Sequence, residues 1–138
     1  MNSDQISIQL LQTALQAADL RQRIYANNIA NIDTPGYKRQ DVQFESMLQN
    51  ALESAPVAVA VPGEKHIPIQ SGSLNWSSAL QVQPVVVQDN STGIDSSGNN
   101  VDVDAEMARL AENQIRYNAL TQDLTSRFNR LKTAINGG

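Results

Sequence analysis

Cysteine is absent from the 138-residue sequence, which excludes disulfides, thiolate metal sites and cysteine nucleophiles. Aromatic residues are few, at 4% of the chain, and alanine supplies much of the apolar content. Because alanine buries little area per residue, these features favour thin helical packing over a thick globular core.

Concentrated positive charge is also absent. The net charge is −4, and Arg21, Arg23, Lys38 and Arg39 form only a small basic island. Phosphate backbones attract much denser positive charge, so nucleic acid is excluded as a partner. No apolar run reaches the roughly 20 residues that span a bilayer, so we expect no direct membrane insertion. The opening MNSDQISIQL lacks the features of a signal peptide, so we expect any export to proceed without a cleaved one.

Apolar residues near the N-terminus recur at alternating steps of three and four, interrupted only at Gln22. This spacing predicts an amphipathic helix within residues 1–33. The N-terminal stripe consists of Ile8, Leu11, Leu15, Ala18, Tyr25, Ile29 and Ile32. A turn of type II is predicted at Thr34, Pro35, Gly36 and Tyr37, with Gly36 at a positive φ. Asn31 is a candidate for a left-handed helix cap.

A second apolar stripe predicts a C-terminal helix over residues 102–138. Acidic residues at Asp102, Asp104 and Glu106 suit the start of this helix, and Gly137 suits its end. The stripe consists of Met107, Leu110, Tyr117, Leu124, Phe128, Leu131 and Ile135. We therefore predict a mainly α fold in which the two terminal helices pack as an antiparallel, coiled-coil-like pair, each stripe on the other.

The intervening residues 34–101 contain every proline of the chain. Prolines and glycines make long helices improbable there, and we predict only one short helix near residues 44–52. PVAVAVP at 56–62 and LQVQPVVV at 80–87 are typical of short strands. Residues 89–100 form a polar, glycine-containing loop.

Catalytic and metal-binding patterns are weak. His66 is the only histidine and has no partner at a meaningful spacing, so we predict no enzyme activity and no cofactor. The window from Asp95 to Glu106 resembles a calcium loop, but Asn100 occupies the position at which such loops need glycine. A solvated loop leading into an acidic helix start is the better account, so we predict no metal.

Three asparagines stand near the end of the N-terminal helix, where better helix formers would be expected. Asn27, Asn28 and Asn31 have two interpretations. They cap the helix end locally, or they lie in an apolar seam and fix register and partner. The sequence leaves both open.

The segment ANNIANIDTPGYKRQDVQFE (26–45) resembles the N-terminal signature of the axial proteins of the bacterial flagellum. With NNVDVDAEMARLAENQIRYNALTQDLTSRFNRLKTAI (99–135), the sequence is similar to the basal-body rod family and to its short proximal members. This resemblance implies a structural subunit that assembles with its own copies and other axial proteins into the hollow drive shaft for motility. Both stripes and the three asparagines would then form the assembly interface.

The resemblance also implies export through the flagellar type III apparatus to the basal body, on the periplasmic side of the cell envelope. Phe44 and Leu48 match a pattern that presents family members to the export gate. The pattern is equally typical of a plain contact between helix residues four apart. Two alternative functions stay open, namely another short axial rod protein and a cytoplasmic helical adaptor or chaperone.

Overall fold

The computed structural model describes residues 3–53, 75–91 and 98–137. The fold is mainly α, as predicted. Its elements are α1 (Ser3–Ala30), β1 (Gln40–Gln43), α2 (Glu45–Glu53), α3 (Trp76–Ala79), β2 (Val85–Gln88) and α4 (Val103–Asn136). At 1.5 Å per residue, the 34 residues of α4 extend over roughly 50 Å.

Helices α1 and α4 pack against each other in antiparallel orientation. The Asn28 side chain lies 2.8 Å from Glu106, near the end of α1 and the start of α4. Further along, the Asn113 side chain donates to the Ala18 carbonyl at 2.8 Å. Later positions on α4 therefore meet earlier positions on α1, which confirms the predicted helix pair.

The seam between the two helices uses only part of the predicted C-terminal stripe. Leu110, Tyr117, Leu124 and Leu131 are partly buried. The prediction that the whole stripe packs on α1 is wrong at three positions, because the side chains of Met107 (57%), Phe128 (50%) and Ile135 (82%) are exposed.

The physical reason is the rotation of α4 about its own axis. Glu106 and Asn113, not their apolar neighbours, occupy the seam, and both are buried. Each donates to or accepts from a group on α1, namely Asn28 and the Ala18 carbonyl. These hydrogen bonds fix a rotation that turns the row containing Met107 away from α1.

The helix ends follow local chemistry. The Asp102 side chain accepts from the Ala105 amide at 3.1 Å and caps α4, and Gly137 ends the helix with φ of 76°. Helix α1 ends at Ala30, three residues before the predicted boundary. The left-handed cap at Asn31 is wrong, because no residue other than glycine has a positive φ in the described ranges. Instead, the Asn31 side chain donates to the Asn27 carbonyl at 2.8 Å.

The turn after α1 has the predicted geometry. The Tyr37 amide donates to the Thr34 carbonyl at 3.2 Å, and Gly36 has φ of 71°. This turn reverses the chain so that β1 runs back beside α1.

Replacing Gly36 with alanine is expected to lower the free energy of unfolding by about 1 kcal/mol, because a Cβ disfavours positive φ. A Cβ at this position would meet no atom within 4 Å, so the cost is conformational and not steric. Urea unfolding followed by circular dichroism measures the change. Gly36→Asn is the control and should lose less stability, since asparagine tolerates positive φ better than alanine does. If the Gly36→Ala variant and the unaltered chain had equal free energies of unfolding, the positive φ assigned to Gly36 would be contradicted.

A two-stranded antiparallel sheet lies beside the end of α1. Strand β1 pairs with β2 in a register that joins Gln40 to Gln88 and Gln43 to Val85. Strand β2 lies at the end of the segment predicted from LQVQPVVV, and α2 matches the predicted short helix. Strand β1 and the single turn α3 were not predicted. The predicted strand at 56–62 and His66 lie outside the described residues.

Candidate functional site at the helix junction and the outer face of α4

Asn28 lies at the point where α1, β1 and α4 meet, and its side chain is fully buried. Its Nδ2 donates to the Gln40 carbonyl at 2.7 Å and to Glu106 Oε2 at 2.8 Å. Its Oδ1 accepts from the Gln40 amide at 3.0 Å and from the Tyr37 hydroxyl at 3.1 Å. One side chain therefore holds three elements in a single register. We call the cluster of Asn28, Tyr37, Arg39 and Glu106 the polar junction.

The Glu106 carboxylate is the buried charge of the polar junction, with 0% of its side chain exposed. Its Oε1 accepts from Arg39 Nε at 2.6 Å and from Arg109 NH1 at 2.5 Å. A buried carboxylate is tolerated only when it is paired and hydrogen-bonded, and here both oxygens have donors. These donors account for Glu106, whereas Asp95 and Ser97 of the calcium-like window lie outside the described residues.

Arg39 connects the polar junction to β1. Its NH2 donates to Asp41 Oδ2 at 2.6 Å, and the Tyr25 hydroxyl donates to Asp41 Oδ1 at 3.2 Å. Burial alone would raise the pKa of Asp41, but hydrogen bonds from Arg39 and the Val42 amide outweigh this effect and hold that pKa below its usual value. Burial, reinforced by the Asp41 charge, raises the pKa of Tyr25.

A second ion-pair group ties α1 to α2 and α4. Arg21, which is buried, donates through NH1 to Glu45 Oε1 at 2.7 Å and through NH2 to the Val42 carbonyl at 3.2 Å. Arg116 donates to the same Glu45 oxygen at 2.9 Å. The hydrogen bond from Arg21 is the main cause that lowers the pKa of Glu45. Arg21 and Arg39 are thus paired internally and do not form a free basic patch.

The lowered pKa values of Asp41 and Glu45 predict acid sensitivity. Their unperturbed values are 3.8 and 4.5, so at acidic pH the unfolded chain binds more protons than the folded chain. The free energy of unfolding should be constant between about pH 5 and 8, decrease as pH falls through about 4, and level off below the folded pKa values of the two carboxyl groups. Urea unfolding at a series of pH values tests this. Asp41→Asn should flatten the decrease, and an unchanged slope in that variant would contradict the assignment.

Asparagines before α4 anchor the turn and the sheet. Asn99 donates through Nδ2 to the carbonyls of Asn31, Ile32 and Thr34, at 2.8 to 3.0 Å. Asn100 accepts from the Arg39 amide at 2.7 Å. Sequence reasoning assigned no such role to Asn99, Asn100 or Arg39. The sequence shows two adjacent asparagines directly before the start of a helix. This two-residue pattern does not indicate which distant residues they contact.

The three asparagines of the sequence signature have different surroundings. Asn28 is buried within the chain, where it fixes the register of the chain's own elements. Asn31 bonds locally to Asn27 and accepts from the Thr34 hydroxyl at 3.2 Å. Asn27 is exposed and its Nδ2 lies 3.4 Å from the Tyr37 hydroxyl. All three side chains therefore make hydrogen bonds within the chain, and of the three only Asn27 is exposed.

Met107, Phe128 and Ile135 form what we call the outer face of α4. They lie at the same position of a seven-residue repeat along α4. Gln114 and Thr121 occupy that position in the two heptads between Met107 and Phe128. All three are large, apolar and at least half exposed. The part of the chain that the structure describes holds no cluster of metal ligands. Nor does it include any helix of the length and apolarity that crossing a membrane demands.

The chain matches the family described as flagella basal body rod protein over residues 8–38. It is also 40% identical to the flagellar basal body rod protein FlgB of Bacillus subtilis (strain 168), over 96% of this chain and 95% of that protein. The chain belongs to the FlgB family of flagellar basal body rod proteins. FlgB of Borreliella burgdorferi is 35% identical over 88% of this chain and 89% of its own length. FlgB of Salmonella typhimurium (strain LT2) is 33% identical over 96% and 94%.

Membership of the FlgB family confirms the resemblance found in the sequence and the predicted function as a structural rod subunit. The alternatives, a different short rod protein such as FlgC or a cytoplasmic helical adaptor or chaperone, are not favoured. The family match extends over most of α1 and the following turn, so it includes Asn28, Tyr37 and the start of the polar junction.

Proposed function

We propose that the chain is a subunit of the proximal part of the flagellar rod, where it packs with its own copies and other rod proteins into a hollow drive shaft. The observation that carries this proposal is the outer face of α4, which leaves Met107, Phe128 and Ile135 exposed. Burying one such side chain contributes roughly 1.5–3 kcal/mol, so covering all three strongly favours a neighbouring subunit.

The arrangement of the exposed surfaces supports an open assembly. Helix α1 covers one side of α4, and the outer face of α4 points elsewhere. Contact between two different patches of identical molecules repeats without closing when each copy is displaced along an axis, and a helical tube results. The polar junction contributes by keeping α1, β1 and α4 in one orientation as load passes between subunits.

The role is structural and not enzymatic, and the location is the basal body on the periplasmic side of the cell envelope. The chain reaches that location unfolded, through the flagellar type III export apparatus. Phe44 is buried at 3% exposure and Leu48 is partly buried, so the predicted export-gate pattern is accessible only in an unfolded chain. This property fits a signal that is read before folding.

Locating the chain in the cell tests this function. An antibody against the chain should detect it in purified basal bodies, at a constant ratio to the other rod proteins. Deletion of its gene should abolish swimming, and the unaltered gene should restore it. A chain found only in the cytoplasm, in cells that assemble complete basal bodies, would support the adaptor and contradict the rod subunit.

A further inference from the structure

Asn136 and Gly137 stand where α4 ends, and asparagine is followed by glycine nowhere else in the sequence. Asn136 is the final residue of the helix, and its side chain is exposed. Gly137 follows in a left-handed conformation, with φ of 76° and ψ of 27°. The side-chain amide of Asn136 therefore lies next to a backbone nitrogen that no Cβ obstructs.

The last turn of α4 is weakly held in the described fold. The Gly137 amide donates to the Thr133 carbonyl, and residues 132–137 are all exposed. Helix ends with few buried contacts open readily. Each opening of this turn releases the Gly137 amide nitrogen from Thr133 and lets it approach the Asn136 side chain.

We propose that Asn136 is a site of spontaneous deamidation, with the Gly137 amide nitrogen as the nucleophile. This nitrogen forms a bond to Cγ of Asn136, and the bond between Cγ and Nδ2 breaks. The Gly137 amide proton ends on the leaving nitrogen, which departs as ammonia and leaves a cyclic imide. Water then opens the ring at either of its two carbonyl carbons, so the product is aspartate or isoaspartate. One water enters and one ammonia leaves, and no other reactant is required.

Other exposed asparagines of α4 lack the conditions for this reaction. Asn118 and Asn129 lie inside the helix and are followed by alanine and arginine. In the helix interior the next backbone amide is bonded to the preceding turn and seldom released. The structure therefore predicts a reaction that is selective for Asn136 and not general for exposed asparagine.

Deamidation would place a negative charge beside the outer face of α4. Ile135, which belongs to that face, directly precedes Asn136 and is 82% exposed. The carboxyl end of a helix already carries partial negative charge, so a carboxylate there disfavours the last helical turn. We therefore expect the deamidated chain to join the rod less efficiently. This consequence rests on the proposed function, whereas the reaction itself does not.

Mass spectrometry of the purified chain tests the reaction. During incubation at neutral pH, the peptide that contains Asn136 should gain one dalton in a growing fraction of molecules. The gain should be faster at higher pH, because the attacking nitrogen must lose its proton. Asn118 and Asn129 are internal controls on the same helix and should stay unmodified over the same period.

Two substitutions verify which atoms react. Asn136→Gln should show no mass gain at this position over the same period, because its longer side chain forms the ring much less readily. Gly137→Ala should slow the gain severalfold, because a Cβ hinders the approach of the nitrogen. Circular dichroism of both variants verifies that the rest of the helical structure is unchanged.

Incorporation into basal bodies tests the consequence for assembly. Asn136→Asp reproduces one of the two products, and Asn136→Gln is its uncharged control. Immunoblotting should detect about two- to fivefold less of the aspartate variant in purified basal bodies, as the unfavourable charge at a helix end implies.

The outcomes separate the reaction from the function. A mass gain confined to Asn136 supports the proposal, and no gain there, or an equal gain at Asn118 or Asn129, overturns it while the rod function stands. Equal incorporation of the aspartate and glutamine variants overturns the consequence for assembly. Absence of the unaltered chain from basal bodies overturns the rod function, and the mass measurement on the purified chain does not depend on that result.

Discussion

Replacing Glu106 with glutamine is expected to lower the free energy of unfolding by about 2 kcal/mol, because the buried hydrogen bonds from Arg39 Nε and Arg109 lose their charged acceptor while Asp41 still pairs with Arg39. Glu106 accepts from Arg39, Arg109 and Asn28, which come from three parts of the chain. A neutral amide has one acceptor oxygen, so its NH2 group would face at least one of these donors. Urea unfolding monitored by far-UV circular dichroism measures the loss.

Glu112→Gln is the matched control, because it makes the same chemical change about 1.7 turns further along α4. The Glu112 side chain is 70% exposed and pairs only with Arg116 among the described residues. Its replacement should change the free energy of unfolding by less than about 0.5 kcal/mol. Equal effects of the two substitutions would mean that the polar junction contributes no more than a surface ion pair.

Phe128→Asp is expected to abolish swimming while leaving the isolated chain folded. Phe128 is half exposed on the outer face of α4 and has no hydrogen-bonding side-chain atoms, so the substitution leaves the polar contacts between α1 and α4 in place. In the assembled rod it would place a charge where apolar surface is buried and remove roughly 1.5–3 kcal/mol of stabilisation per contact. Incorporation into basal bodies should fall at least about tenfold, as measured by immunoblotting.

Ser126→Asp is the control for this prediction, since it adds the same charge at an exposed position on another face of α4. Cells with this variant should swim normally. Circular dichroism of both purified variants verifies that the helical content is unchanged. Normal swimming by the Phe128 variant, with normal incorporation, would remove the outer face of α4 from the assembly interface.

The elements that were predictable from the sequence are those fixed by neighbouring residues. The steps of three and four in residues 8–32 and 107–135 predicted both long helices, and the Thr34 to Tyr37 motif predicted the turn. Asp102 and Gly137 marked the ends of α4 through local hydrogen bonds. In each case the physical cause lies within a few positions of its effect.

The polar junction was not predictable in the same way. Asn28 and Glu106 lie 78 positions apart, and the residues around each one do not indicate that the two side chains are in contact. Strand β1 has only four residues and forms because β2 is beside it. The rotation of α4 depends on buried polar groups at Glu106 and Asn113, whereas periodicity alone favoured its apolar residues. Long-range polar contacts therefore fix the rotation of α4, which local sequence patterns do not determine.

Electron microscopy of basal bodies purified from a strain that lacks the gene tests the central claim most directly. If the chain is a proximal rod subunit, these particles should retain the membrane rings and lack the rod, and the unaltered gene should restore it. Complete rods of normal length in the deletion strain would contradict the account.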